Sequence, residues 1–189
     1  MRKSLILLGI LDDSDVEWML RSGVKRRVAA GAKLVVERQP LESIFVVLSG
    51  SFGVQIGKGD RVARLLTGDV VGEMSFVDAR PPSATVVADE DSLVLDIARD
   101  EVRERLQDDV GFAARFYRAI AIFLSSRLRE TSSRLGYGKV QLSEDHEDMD
   151  EIPEDILENL AIAGHRFTVL EERARGSIFS PKNEPERDR

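Results

Sequence analysis

Between residues 24 and 97 the chain never holds one apolar period long enough for a helix. Short runs at 24–28, 32–36, 44–48, 52–56, 62–66, 84–88 and 93–97 are each cut off by glycine, proline or small polar residues. Many brief strands with closely spaced turns are the signature of a β-sandwich or roll, because each strand offers one face to a core and must then reverse. Ser49-Gly50-Ser51 and Gly57-Lys58-Gly59-Asp60 read as hairpin turns, where glycine reaches positive φ without a Cβ clash. The chain is therefore expected to be mainly β with flanking helices.

The helices come before and after this block. Ser14 and Glu17 have capping-box spacing and open a short helix through Trp18 and Leu20 that Gly23 stops. Trp18 reads as a core residue, with ligand stacking as the alternative. Beyond Arg99 the period turns to 3.6, giving one helix over 100–109 and a longer one over 112–135. Phe112, Phe116, Ile120, Phe123, Leu124, Leu128 and Leu135 make one apolar stripe on the second. That stripe is longer than a small roll needs. It suits a symmetric helix pair, and an intramolecular core is the competing use.

Composition narrows the function classes. With 42% hydrophobic and 32% charged residues over 189 positions, the chain has room for one cored domain and extensions. A net charge of −7 gives no overall basic footprint for nucleic acid. The cluster Lys25-Arg26-Arg27 reads as a charged strand edge or as a contact for an acidic partner. There is no cysteine, so disulfides, zinc thiolates and cysteine nucleophiles are excluded, and a cytoplasmic setting is expected. The run Leu5-Ile6-Leu7-Leu8-Gly9-Ile10-Leu11 is too short for a membrane span and ends in Asp12-Asp13, so it reads as a buried leading segment.

The stretch Gly68-Asp69-Val70-Val71-Gly72-Glu73-Met74-Ser75-Phe76-Val77-Asp78-Ala79-Arg80-Pro81-Pro82-Ser83-Ala84-Thr85-Val86 stands apart. It combines a glycine-marked turn, a lone glutamate, a short apolar turn of helical character, a proline pair, and small hydroxylated residues leading into a strand. A helix start leaves backbone N–H groups unpaired and can offer them to an anion. This stretch resembles the phosphate-binding cassette of the cyclic nucleotide-binding domain family, in its catabolite activator protein-like branch. The turn glycines 31, 50, 68 and 72 extend the resemblance to about residues 10–135.

The resemblance implies a cyclic nucleotide-binding-type β-roll, jelly-roll-like, followed by a long dimerisation helix. It implies ligand contacts from Gly72, Glu73, Met74, Ser75, Ser83, Ala84 and Thr85, with Glu73 accepting from a ribose hydroxyl. The family's phosphate-binding arginine position falls on Pro82, which has neither charge nor N–H. Arg80 lies two residues earlier and either replaces it or stays in solvent paired with Asp78. Thr131 and Ser132 align with the family's base-capping Thr–Ser pair, and a hydroxyl both donates and accepts.

The implied organisation is a β-roll with its N-terminal helix over 1–110, a dimerisation helix over 111–136, an acidic linker over 137–152, a terminal amphipathic helix over 153–176 and a disordered tail over 177–189. The acids from Glu144 to Glu158 outnumber the net charge, and no Lys or Arg lies among residues 143–158. His146 among them suggests no metal cage. Pro153 suits the first turn of the terminal helix and Gly176 its end. No winged helix-turn-helix pattern is seen, so no DNA binding is expected, nor is a membrane partner. The functional expectation is a non-catalytic homodimeric sensor of cyclic AMP or a related phosphate ligand, with no cofactor and with the terminal helix open to a protein partner. The alternative is a degenerate fold acting as a ligand-free interaction scaffold. Catalysis is not expected, because both His146 and His165 lie outside the roll and no triad or paired-acid motif is present.

Overall fold

The computed structural model describes residues 9–57, 59, 61–134 and 160–176. Helix α1, Asp13–Ser22, leads into strands β1 Val24–Val28, β2 Lys33–Val35, β3 Ser43–Ser49, β4 Ser51–Gln55, β5 Arg61–Leu66 and β6 Val70–Val71. Helix α2, Glu73–Asp78, interrupts the strands before β7 Thr85–Ala88 and β8 Ser92–Ala98. Helices α3 Arg99–Asp108, α4 Val110–Arg134 and α5 Leu160–Gly176 follow. The strands form two four-stranded sheets ordered β1-β8-β3-β6 and β2-β7-β4-β5, with every recorded pairing antiparallel.

Side-chain alternation explains the layering. On β3, Ile44, Val46 and Leu48 join one core cluster while Phe45 and Val47 join another. β8 does the same, with Leu95 and Ile97 on one side and Val94 on the other. The first sheet is thus a middle layer, covered by helices on one face and by the second sheet on the other. Its central strands β3 and β8 read as nearly unbroken apolar runs because both of their faces are buried. β1 lies at an edge, and its basic cluster sits there with Arg26 paired to Asp96 at 3.5 Å. The β3–β4 turn needs glycine at Gly50, where φ is 89° and a Cβ would lie 2.1 Å from Ser92 Oγ.

Three local expectations change. The capping box is built from Asp12 and Asp15 rather than Ser14 and Glu17. Asp12 Oδ1 accepts from the Asp15 N–H at 2.9 Å, and Asp15 Oδ2 accepts from the Asp12 N–H at 2.9 Å. The hydroxyl of Ser14 instead donates to Asp12 at 2.7 Å. Residues 70–71, read as part of a turn, form β6, because two residues suffice to pair with Phe45 and Val46. The third change concerns the α4 stripe: Phe112, Phe116, Ile120 and Phe123 are 0, 7, 3 and 3% exposed and belong to the chain's own core. Leu128 of that stripe is 67% exposed.

α5 packs on α1, burying Ala163 and Leu170. Arg166 donates to Asp13 at 2.6 Å, and Lys25 Nζ reaches the Arg173 carbonyl at 2.5 Å. The leading residues 5–8, the acidic linker, the start of the terminal helix at Pro153 and the tail over 177–189 lie outside the described residues.

Candidate functional site

A hollow of about 120 Å³ opens beside α2, between the ends of β2, β6 and β7 and the β4–β5 hairpin. That volume is below the roughly 300–1,000 Å³ of most small-molecule sites, so an occupant of nucleotide size would extend past the rim. Of the residues singled out from sequence, Gly72, Glu73, Met74, Ser75, Ser83 and Ala84 all line it. They come together because α2 and the loop after it fold back across the second sheet. Val35, Leu41, Val54, Leu65, Val71, Pro82 and Val86 complete a mainly apolar wall.

Gly72 forms the entry to α2. Its φ of 95° lies in the left-handed region, and a Cβ there would sit 2.8 Å from the Ser43 carbonyl oxygen. Only glycine meets both demands. Glu73 follows in the first helical turn and is 2% exposed, so the hollow is floored by a buried carboxyl group. α2 has only six residues and ends at Ala79 with φ of 56°, a left-handed conformation that costs a non-glycine residue about 1–2 kcal/mol. The Asp78 carboxylate steadies that bend by accepting from the Arg80 N–H at 3.0 Å.

Pro82 is buried in the wall, and its carbonyl accepts from the Arg38 N–H at 2.8 Å, which ties the two rims of the hollow together. No Lys, Arg or His is among the described lining residues. Arg80 is exposed and not among them. Thr85 is also absent from the lining, and its hydroxyl accepts from the Glu37 N–H at 3.1 Å. Thr131 and Ser132 lie within α4, but their side chains are outside the described residues. No described residue of α4 lines the hollow.

Sequence reasoning missed Leu41, Val35, Val54, Leu65 and Val71, whose alternation shows burial but not which buried face is open. It also missed Arg99, a buried arginine whose NH1 and NH2 donate to the carbonyls of Leu41 at 2.9 Å and Ser75 at 2.8 Å. A signal for it was available: a cation at the first position of a helix opposes the helix dipole, so its presence calls for another partner. Among the described residues no group of three or more His, Cys, Asp or Glu could hold a metal ion. No described helix is long and apolar enough to cross a membrane.

Residues 25–109 match the family model described as "Cyclic nucleotide-binding domain". A cyclic nucleotide-binding domain structure from Methylobacillus flagellatus shares 21% identity, covers 76% of this chain and 86% of its own, and superposes with a TM-score of 0.64. The Thermus thermophilus catabolite activator protein, at 20% identity, covers 90% and 99% with a TM-score of 0.59. These similarities show the fold. Among curated proteins, Glutaminase 2 of Bradyrhizobium diazoefficiens is 27% identical over 129 residues, which is 68% of this chain and 20% of that protein. An uncharacterized NTE family protein of Mycobacterium tuberculosis is 28% identical over 133 residues, 70% and 23% of the two lengths. The chain spans about a fifth of the length of these relatives.

Proposed function

We propose, from the match of residues 25–109 to the cyclic nucleotide-binding domain model, that the chain is a non-catalytic regulatory module whose hollow receives cyclic AMP or a related phosphate ligand. The observation that carries this reading is the convergence of Gly72, Glu73, Met74, Ser75, Ser83 and Ala84 on one open concavity. In it, Glu73 accepts from a ligand hydroxyl, and the hydroxyls of Ser75 and Ser83 and the backbone around α2 supply donors. Arg80 would have to swing inward from its exposed position to meet a phosphate. On the family's pattern the Thr131–Ser132 pair would cap the base, one residue from each subunit, and Thr85 holds the rim from behind.

The module acts as a homodimer through α4. The face left for this purpose carries Val110, Tyr117 and Leu128, which are 80, 50 and 67% exposed. Their spacing of seven and eleven keeps them on one side of a supercoiled helix. Residues 1–110 would sense, 111–136 would pair, and the terminal helix would respond, with a protein as its partner and no DNA contact.

Pro82 favours a second reading, in which the hollow has lost its ligand and the fold serves as an interaction scaffold. The absence of a charge-assisted phosphate contact of about 2–5 kcal/mol lowers affinity by roughly 30-fold to several-thousand-fold. Calorimetric titration of wild type and Pro82→Arg with cyclic AMP and cyclic GMP separates the two. Heat of binding in the wild type supports the sensor. Binding only by Pro82→Arg supports the scaffold, and no heat from either, with both variants folded, removes the ligand pocket altogether.

A further inference from the structure

We propose that Arg99 is the positioning residue that locks both walls of the hollow to the helical layer, so that α2 and the α3–α4 pair shift together. The inference rests on the hollow being the ligand site, and its geometric half stands independently of that reading.

Arg99 is 8% exposed, and its guanidinium lies behind the hollow, within hydrogen-bond reach of two lining residues. Its NH1 donates to the Leu41 carbonyl and its NH2 to the Ser75 carbonyl. Leu41 and Ser75 both line the hollow, one on the loop before β3 and the other on α2. One planar group therefore ties Leu41 to Ser75 just beyond the point where the β3–β6 ladder, Phe45 to Val71 and Val46 to Val70, ends. Arginine suits this task because its fork of donors is rigid, whereas a lysine concentrates its charge at one point.

The same residue opens α3, and its backbone N–H donates to the Glu42 carbonyl at 2.9 Å. Its guanidinium carbon lies 5.8 Å from the centroid of the Phe76 ring on α2. Phe76 meets Phe116 of α4 edge-on at 5.7 Å, Phe116 meets Phe112 at 5.5 Å, and Phe112 meets Trp18 of α1 at 5.2 Å. A displacement of Ser75 by an occupant thus has a contiguous route to α4. Arg99 Nε is buried without a hydrogen-bond partner. A buried cation kept at that cost, at a helix start whose dipole disfavours it, is spent on position rather than on stability.

Hydrogen exchange on the ligand-free full chain tests the lock. Arg99→Met is compared with Arg99→Lys and with Val102→Ala, a core truncation in the same helix at a residue 2% exposed. Arg99→Met should speed exchange of the amides of α2 and residues 41–44 by roughly 10- to 100-fold, the factor expected for losing charge-assisted bonds. The amides near Phe116 should follow, and Arg99→Lys should fall between. Val102→Ala should leave α2 protected. Equal deprotection of α2 by Arg99→Met and Val102→Ala overturns the proposal, as does an effect confined to α3. If Arg99→Met fails to fold, the contrast of Arg99→Lys with Val102→Ala decides on the same terms. Cyclic AMP titration of the same proteins, read by calorimetry and by Trp18 emission, examines the ligand site separately. Absence of binding removes the ligand reading and leaves the exchange result intact, while binding with an emission change in wild type that persists in Arg99→Met overturns the coupling.

Discussion

Replacing Arg115 by methionine should cost about 3 kcal/mol of stability, far more than neutralising its partner. Arg115 reaches from α4 to α1, with Nε 2.7 Å from Asp15 Oδ2 and NH2 2.9 Å from Asp15 Oδ1. The same NH2 lies 2.9 Å from Asp12 Oδ2. The Asp15 side chain is 0% exposed, whereas that of Arg115 is 31% exposed. Hydrogen bonding to Asp15, set against partial burial and joined by the charges of Asp15, Asp12 and Asp109, holds the guanidinium pKa above its ordinary value. Removing the cation leaves a carboxylate buried in protein, and breaking such a pair costs about 3–5 kcal/mol. The lower end applies because Arg115 already keeps part of its hydration. Asp15→Asn behaves differently: the amide oxygen still accepts from the Asp12 N–H, and Arg115 turns to Asp12 and water. Urea unfolding is the assay. With a slope of about 2 kcal/mol per molar, Arg115→Met should lower the midpoint by about 1.5 M. Asp15→Asn should lower it by well under half of that, and the double variant should be more stable than Arg115→Met alone. An Asp15→Asn loss equal to or greater than that of Arg115→Met would refute the assignment of the cost to the buried carboxylate.

Gly72→Ala should destabilise by about 2 kcal/mol or more, because it adds left-handed strain to a 2.8 Å approach on Ser43, and the thermal midpoint checks it. Phe112→Ala should cost about 3–5 kcal/mol and shift Trp18 emission to the red, since it opens the core beneath a ring 5.2 Å away. Stability should fall as the solution is acidified below about pH 4. Burial pushes the Asp12 carboxyl up, but hydrogen bonds from Ser14 and Asp15 and the Arg115 charge outweigh it and hold it below 3.8. The Phe112 N–H, chiefly, holds Asp109 below the same value. Both groups have lower folded than unfolded pKa values, so their contribution is complete above the unfolded value and disappears as pH drops through the folded one. Urea midpoints from about pH 3 to 7 should trace this limb, and Asp109→Asn should make it shallower. Leu128→Glu should shift sedimentation toward the monomer if α4 forms the dimer, and an unchanged dimer would place the interface elsewhere.

The strands were readable because their signal is local. Val24–Val28 was delimited to the residue, the runs at 44–48 and 93–97 gained one residue at each end, and the run at 52–56 shifted back by one. β6 escaped because two residues carry no period; its pairing to Phe45 and Val46 is a property of the sheet. The capping box was misplaced by two residues because both spacings satisfy the pattern, and the choice fell to Asp15, which Arg115 claims from α4 one hundred residues away. Arrangement within the candidate site was legible only along the chain. Gly72 through Ala84 could be grouped because they are neighbours in sequence, while Leu41, Val54 and Leu65 arrive from other strands. Thr85 illustrates the remaining gap: a hydroxyl in the right stretch had been expected to face the ligand, yet it accepts from the Glu37 N–H.

The behaviour of α4 follows from one helix having to serve more than one surface. Twenty-five residues at about 1.5 Å per residue span roughly 37 Å, longer than the sheet it covers. Phe112, Phe116, Ala119, Ile120 and Phe123 recur at helical spacing and are buried against the roll. Val110, Tyr117 and Leu128 fall about a third of a turn away and stay in solvent. The apolar residues therefore form two stripes, and a sequence projection merges them into the single wide one. Arg115 lies on the α1 side and anchors the helix by charge, while Phe76, with Arg99 over its own ring, reaches it from α2 through Phe116. α2 thus meets a helix held at Arg115 and Phe116, with Phe123 still in the core and Leu128 exposed beyond it. On the proposed reading, a shift at the hollow would be read out near Leu128, the exposed apolar residue farthest along α4 among those described.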